Sequence, residues 1–230
     1  MQDQLIFLDT ESTGNDPKID RLCQVAYKAR GEMKVGLFKP PIPISVKAMS
    51  ITHITNALVA DAEAFGASRM KRELQALLNE GVMVAHNAIF DIAMLKHEGV
   101  EVPRFICTLR LARHLDPENV IPEYNLQFLR YFLNLEVDAV AHDAEGDVRV
   151  LEAVFRRLHA KLPDLETMIE ISSKPTLFTV FNFGKHKGRR VEEVLTTDRS
   201  YLEWLLNQKL VDGADDDEDW TYTLKYYLAS

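Results

Sequence analysis

Cysteine is scarce: Cys23 and Cys107 are the only two in 230 residues, at no metal-type spacing. That excludes a disulfide scaffold and a zinc ribbon. Long apolar runs are missing as well. The cleanest are pieces the size of Leu5-Ile6-Phe7-Leu8, so no transmembrane span and no signal-peptide core is expected. Positive charge is outnumbered, with 27 Lys and Arg against 35 Asp and Glu and a formal net charge of −8. Taken alone, that total argues against a polyanionic partner. The chain also shows no internal repeat and no low-complexity linker. What is present is an ordinary globular complement, 47% hydrophobic, enough to bury a core and to exclude wholesale disorder. The length suits one domain, or one with a small appendage, at roughly 100–200 residues per domain. The expectation is a soluble, cytoplasmic protein with no membrane partner; oligomeric state has no signature here.

The negative charge is unevenly placed. Asp212 and the run Asp215 through Asp219 supply six of the acids near the C-terminus, a pattern typical of a solvated loop. By contrast, the stretch 171–211 carries seven cations against four acids, with Lys185, Lys187, Arg189 and Arg190 close together.

Hydrophobic patterning predicts three short strands, Leu5–Leu8, Leu22–Ala29 and Met33–Phe38, the last two joined as a hairpin across Arg30-Gly31-Glu32. A long helical pattern follows over Asp61–Glu80, ended by Gly81. Val82–Ala85 reads as a buried strand, with Asn87 as N-cap of a helix reaching about Glu98. Phe105–Cys107 reads as a further strand and Thr108–Leu115, Asn125–Leu133 and Ala144–Leu162 as helices. Antiparallel strands followed by strand–helix alternation predict an α/β fold with a mixed central sheet flanked by helices. The expected division is a larger domain over 1–163, a connector over 164–178 with a short helix at Asp164–Ile171, and a small α+β unit over 179–230. In that unit Thr179–Phe183 reads as a strand, a basic Gly184…Gly188 turn follows, and Val191–Thr196, Tyr201–Asn207 and Trp220–Leu228 read as helices.

Three acidic constellations carry chemistry. Asp9-Thr10-Glu11 ends the first strand, and residues two apart on a strand point to the same face. Two carboxylates there are costly without a positive charge between them, and oxygen-liganded divalent cations answer that need. His86-Asn87-Ala88-Ile89-Phe90-Asp91 puts Asp91 in a first helical turn, where the helix dipole also favours an acid. His142-Asp143-Ala144-Glu145-Gly146-Asp147 opens a third. His142 and Asp147 converge only if His142 lies in the lead-in and Asp147 in the helix, which Asp143 as N-cap would allow. Each alone has an ordinary reading as a surface or helix-start residue.

In this order and at these separations, Asp9-x-Glu11, His86-Asn87-x-x-Phe90-Asp91 and His142-x-x-x-x-Asp147 resemble the three motifs of the DEDDh (DnaQ-like) 3′→5′ exonucleases, over about residues 4–160. The segment Ala48–Thr55 is similar to the family's pre-helix segment, with Thr52-His53 where a His-Gly pair is common. Lys174-Pro175-Thr176-Leu177, Phe181-Asn182-Phe183-Gly184-Lys185-His186-Lys187-Gly188 and Tyr201-Leu202-x-Trp204-Leu205 resemble the C-terminal extension of that family's bacterial exodeoxyribonuclease X branch. The resemblance implies a ribonuclease H-like exonuclease fold and two divalent cations, Mg²⁺ or Mn²⁺, held by Asp9, Glu11, Asp91 and Asp147. It implies His142 as general base, and 5′-mononucleotides released from DNA 3′ ends, single-stranded or duplex, in DNA repair. It further implies that the backbone around Thr10, Ser12, Thr13 and Gly14 approaches the terminal nucleotide, with Phe90 near its sugar or base.

For the basic turn, Lys185, Lys187, Arg189 and Arg190 are candidates for phosphate contacts, which position a strand without reading its sequence. Phe181, Phe183, Tyr201 and Trp204 are candidates for base stacking; Phe183 and Trp204 read more readily as core of the small unit. Three alternatives stay open: an RNA-trimming enzyme of the same fold, a proofreading subunit, and a nucleic-acid-binding module without catalysis. The last fits poorly with five competent side chains at the catalytic positions. Four acids assigned to metal and six in one C-terminal run also change the meaning of the −8. Charge placement, not its total, bears on the partner.

Overall fold

The structure is a computed structural model describing residues 5–16, 18–138, 144–212 and 218–229. The chain divides into two compact units, one comprising 1–115 with 121–173, the other 116–120 with 174–230.

The first unit is built on a five-stranded sheet in the order β3-β2-β1-β4-β5. Its strands are β1 (Leu5–Ser12), β2 (Leu22–Ala29), β3 (Glu32–Leu37), β4 (Val82–Ala85) and β5 (Phe105–Cys107). Neighbours β1–β2 and β2–β3 are antiparallel, whereas β1–β4 and β4–β5 are parallel, so the mixed sheet expected from the sequence is present. The β2–β3 turn is Arg30-Gly31, with φ of 53° and 82°. Both residues have the positive φ that a tight two-residue hairpin requires. β1 lies in the middle and is covered on both faces, which explains its unbroken apolar start. Leu5 and Phe7 pack with Val82, Val84 and Ile106 against α6 (Ala144–His159) through Val148, Leu151 and Phe155. Ile6 and Leu8 pack on the other face with Met83 and Ala85, against α2 (Arg69–Glu80) and α3 (Ala88–His97) through Leu74, Leu78, Met94 and Leu95.

Several boundaries differ from the sequence expectation. The pattern over Asp61–Glu80 resolves into a 3-10 turn at Phe65–Ala67 and then α2, because the Ser68 side chain accepts the Lys71 N–H and starts the helix there. Asn87 stands at the N-cap of α3, but with left-handed φ of 60° and no side-chain capping bond. A short α1 (Val46–Thr52) precedes these, and α4 (Thr108–His114) and α5 (Leu126–Phe132) follow. The segment 164–178, expected as a connector, gives α7 (Leu165–Ser172) to the first unit. Its Met168 is fully buried in that core, and the Ser172 hydroxyl accepts the Cys107 N–H at 2.8 Å. The division therefore falls between residues 173 and 174.

The second unit consists of α8 (Val191–Thr197), α9 (Arg199–Asp212) and α10 (Glu218–Ala229) around an aromatic centre. Phe181 and Trp220 stack at 4.9 Å, Phe183 meets Trp220 edge-on at 5.1 Å, and Val191, Val194, Leu202 and Leu224 close the core. The expected strand Thr179–Phe183 is reduced to one antiparallel bridge, Val180 with Arg190. Backbone bonds from Phe181 N–H to the Arg189 carbonyl and from Gly188 N–H to the Phe181 carbonyl close the turn beside it. Among the described residues, no helix is long and apolar enough to cross a membrane.

Candidate active site

The alternation of β1 that sorts Leu5 and Phe7 from Ile6 and Leu8 continues into the acids. Asp9 and Glu11 prolong the α6 side of the strand, and Thr10 prolongs the α3 side. Asp147 stands in the first turn of α6. Carboxylate oxygens of Asp9, Glu11 and Asp147 all lie within 4.8 Å of one another. Asp147 is buried, and Asp9 and Glu11 are partly so.

Two glutamines set this approach. Gln24, on β2 directly opposite Glu11, accepts the Ala144 N–H at 3.3 Å and so ties the start of α6 to the strand pair. Gln127, on α5, donates its amide to Asp147 Oδ1 at 2.6 Å. The α5 start is fixed in turn by Asn125, whose side chain accepts the Phe128 N–H at 2.8 Å. Sequence reasoning missed both glutamines. Gln24 left a trace, as the polar residue within the apolar Leu22–Ala26; Gln127 left none.

Asp91, in the first turn of α3, is not one of these three. It is 4% exposed and accepts the Thr10 hydroxyl at 2.7 Å through Oδ1. Burial raises its carboxyl to about 7, against the opposing pull of the Thr10 hydrogen bond. Of the four acids expected to share metal, the structure thus brings three together, while the fourth is bonded to the residue between two of them. His142, and Asp143 as its expected cap, lie outside the described residues.

His86 has both ring nitrogens engaged, Nδ1 with the Thr108 hydroxyl at 2.9 Å and Nε2 with the Tyr124 carbonyl at 2.8 Å. The carbonyl can only accept, so Nε2 carries the proton and Nδ1 receives the hydroxyl. Burial lowers its pKa to about 4, which keeps the ring neutral. His86 thereby ties the end of β4 to the segment leading into α5.

The loop after β1 is closed on itself. The Thr13 hydroxyl donates to Asp20 at 2.5 Å, and Ser12 donates to the Gly14 carbonyl at 2.5 Å. A Cβ at Gly14 would meet Asp20 Oδ2 at 2.5 Å, so a side chain there would displace the Asp20 carboxylate that closes the loop. The Ser12 and Thr13 hydroxyls therefore organise the loop, while that of Thr10 is spent on Asp91. Phe90 is partly buried against the α3-side core.

In the second unit, Lys185 lies 2.7 Å from Asp198, and Arg189 bonds Glu193 and Thr197 at 3.1 Å each. Lys187 and Arg190 are exposed. Phe181 is core, 1% exposed, but Trp204 is 53% exposed, against its expected place in the interior. Its position on α9 faces away from the buried Leu202 and Leu205.

Three clustered carboxylates repel one another without a counter-charge, and an all-oxygen donor set suits a hard divalent cation. The residues present fit such an ion.

Comparison with known proteins agrees. A family described as Exonuclease matches residues 6–155, and one described as Exodeoxyribonuclease X-like C-terminal matches 181–209. Exodeoxyribonuclease 10 of Escherichia coli K12 is 33% identical over 84% of this chain and 83% of its own length. A solved structure of exonuclease X in complex with 5′ overhanging duplex DNA is 28% identical, with a TM-score of 0.61 over 73% of this chain and 99% of that one. E. coli exonuclease I with a dT13 oligonucleotide, 22% identical with a TM-score of 0.59 over 71% of this chain and 42% of that one, shares the fold. The chain belongs to the exonuclease family, and carries beyond the catalytic region the C-terminal element of its exodeoxyribonuclease X-like members.

Proposed function

We propose that this exonuclease degrades DNA from its 3′ ends, releasing 5′-mononucleotides, with two divalent cations, Mg²⁺ or Mn²⁺, at the carboxylate cluster. The observation that carries the reading is the convergence of Asp9, Glu11 and Asp147 from a central strand and a distant helix onto one point. A relative that shares most of its length with this chain is called an exodeoxyribonuclease, which favours deoxyribose.

Asp9, Glu11 and Asp147 hold the cations, and Asp91 joins them from the α3 side. Divalent cations bound by these carboxylates would supply charge stabilisation for an in-line displacement at phosphorus and a water of lowered pKa. Gln127 orients the Asp147 carboxylate by its hydrogen bond to Oδ1. His142 takes the proton of the attacking water, a task suited to an imidazole near neutral pH. The loop closed by Thr13, Gly14 and Asp20 presents backbone to the terminal nucleotide, with Phe90 beside it. Lys187 and Arg190 meet phosphates, joined by Lys185 and Arg189 where these exchange their internal partners for the strand.

The test is degradation of single-stranded DNA, duplex DNA and RNA, labelled at each end in turn, with Mg²⁺ and with a chelator. Mononucleotides should come from DNA 3′ ends with metal only, and Asp147→Ala should lower the rate at least a thousandfold without unfolding the chain. Faster loss of RNA would make the enzyme an exoribonuclease, and no hydrolysis of any 3′ end would make it a binding module. Counting bound Mn²⁺ by titration tests the two ions.

A further inference from the structure

Trp204 occupies a costly position. It is 53% exposed on α9, whereas its neighbours Leu202 and Leu205 are buried, and an exposed tryptophan forgoes a large gain from burial. Its ring does not stand alone. Tyr201, one turn earlier on the helix, lies 5.6 Å away with a 33° tilt. The Lys185 ammonium sits 4.6 Å from the Tyr201 centroid, and the His186 ring meets Tyr201 edge-on at 4.8 Å.

The basic turn is seated on this helix by close packing. Gly184 has φ of +67°, and a Cβ there would meet the Tyr201 hydroxyl at 2.8 Å. His186 then pins the turn from inside, with Nε2 3.0 Å from Asp198. Three neighbouring acids are engaged: Asp198 with Lys185 and His186, Glu193 with Arg189, and Glu203 with Arg199. Lys187 and Arg190 remain exposed on the same short segment. An exposed tryptophan packed on a half-buried tyrosine, beside exposed cations, matches a ligand with flat faces and regular negative charge. Single-stranded nucleic acid has both, and a purely apolar protein partner would leave the cations unmatched.

We propose that Trp204 and Tyr201 form a stacking platform for unpaired bases of a DNA strand, with Lys187 and Arg190 on the adjoining phosphates. This rests on the reading of the chain as a DNA exonuclease and adds a strand contact made by the second unit alone. The platform reads no sequence, because every base has a face to stack.

The chain's two tryptophans make the test direct, since Trp220 is 2% exposed and Trp204 is the accessible one. The full-length protein is titrated in chelator with an oligothymidylate of about 15 nucleotides, within the span such sites cover. Wild-type tryptophan emission should be quenched, and Trp204→Phe should lose the quench while keeping most of the affinity. Trp204→Ala should bind roughly tenfold more weakly, the scale of one stacked base. Replacing Lys187 and Arg190 by Ala should lower the slope of log affinity against log salt by about 1–2.

Wild-type affinity in Trp204→Ala would overturn the platform. So would a dimer that dissociates in Trp204→Ala with DNA binding unchanged, since a second copy would then be the occupant. Hydrolysis of the p-nitrophenyl ester of thymidine 5′-monophosphate separates the two readings, because it engages one nucleotide only. If wild type cleaves neither ester nor DNA, the exonuclease reading fails. If both are cleaved and Trp204→Ala binds like wild type, only the platform fails.

Discussion

At the scale of single residues, the site depends on polar groups that hold its acids and the start of α6 in place. The Gln127 amide donates to Asp147 Oδ1 and so fixes the orientation of that carboxylate. Gln127→Leu should lower kcat about 10- to 100-fold, the usual cost of losing an outer partner of a metal ligand, with KM for DNA little changed. Steady-state degradation rates check this. His86 makes stability depend on pH. Its folded pKa of about 4 lies below the ordinary histidine value of about 6.5. The unfolded chain therefore takes up the proton first. The stability it contributes is complete above about pH 6.5 and declines as pH falls toward 4. At pH 5 the loss is about 2 kcal/mol relative to pH 7.5, and urea midpoints should fall accordingly, less steeply in His86→Asn. The carboxylates were legible in the sequence because strand alternation and helix starts fix where such side chains point. The partners Gln24 and Gln127 were not, since a hydrogen bond across 20 or 120 residues leaves no local pattern. Nor was the Thr10–Asp91 hydrogen bond, which depends on which face of β1 Thr10 occupies.

At the scale of elements, the strands and most helices followed from periodicity, and the departures have local causes. Ser68 caps α2 and stops the Asp61–Glu80 pattern from extending backward as one helix. Asn87 adopts the left-handed conformation, so it turns the chain out of β4 instead of capping with its side chain. Trp204 was misplaced because α9 is polar and apolar all round, leaving helical spacing without a clear inner face. The β2–β3 hairpin is the element most exposed to a single change. Gly31 has φ of +82°, with no atom within 4 Å of where a Cβ would stand. The cost of Gly31→Ala is therefore backbone strain alone, about 1 kcal/mol. A urea midpoint shift of that size, with activity retained in the folded protein, is the expected outcome.

At the scale of the molecule, a cluster of like charges makes cations part of the folding equilibrium. Asp9, Glu11 and Asp147 come together only in the folded chain, so an ion bound there stabilises the native state by mass action. At a hundred times its Kd, Mg²⁺ should add about 2.7 kcal/mol. Thermal unfolding in Mg²⁺ and in chelator measures this, and Asp9→Asn should shrink the difference. The two-unit division was legible as a change in charge and a basic turn, but its border was not. α7 reads as a linker helix until Met168 is seen in the first core.

The order of strands in the sheet has a consequence for how the enzyme comes into being. β1, β2 and β3 are consecutive and joined by short connections, so that half can zip up early from contacts near in sequence. The β1–β4 pairing and the docking of α6 must close much longer stretches of chain, which is slower. Asp9 and Glu11 belong to the early half, and Asp147 arrives with the late one. A nascent or partly refolded chain thus holds half a metal site, and the power to cut DNA appears only with the last large closure.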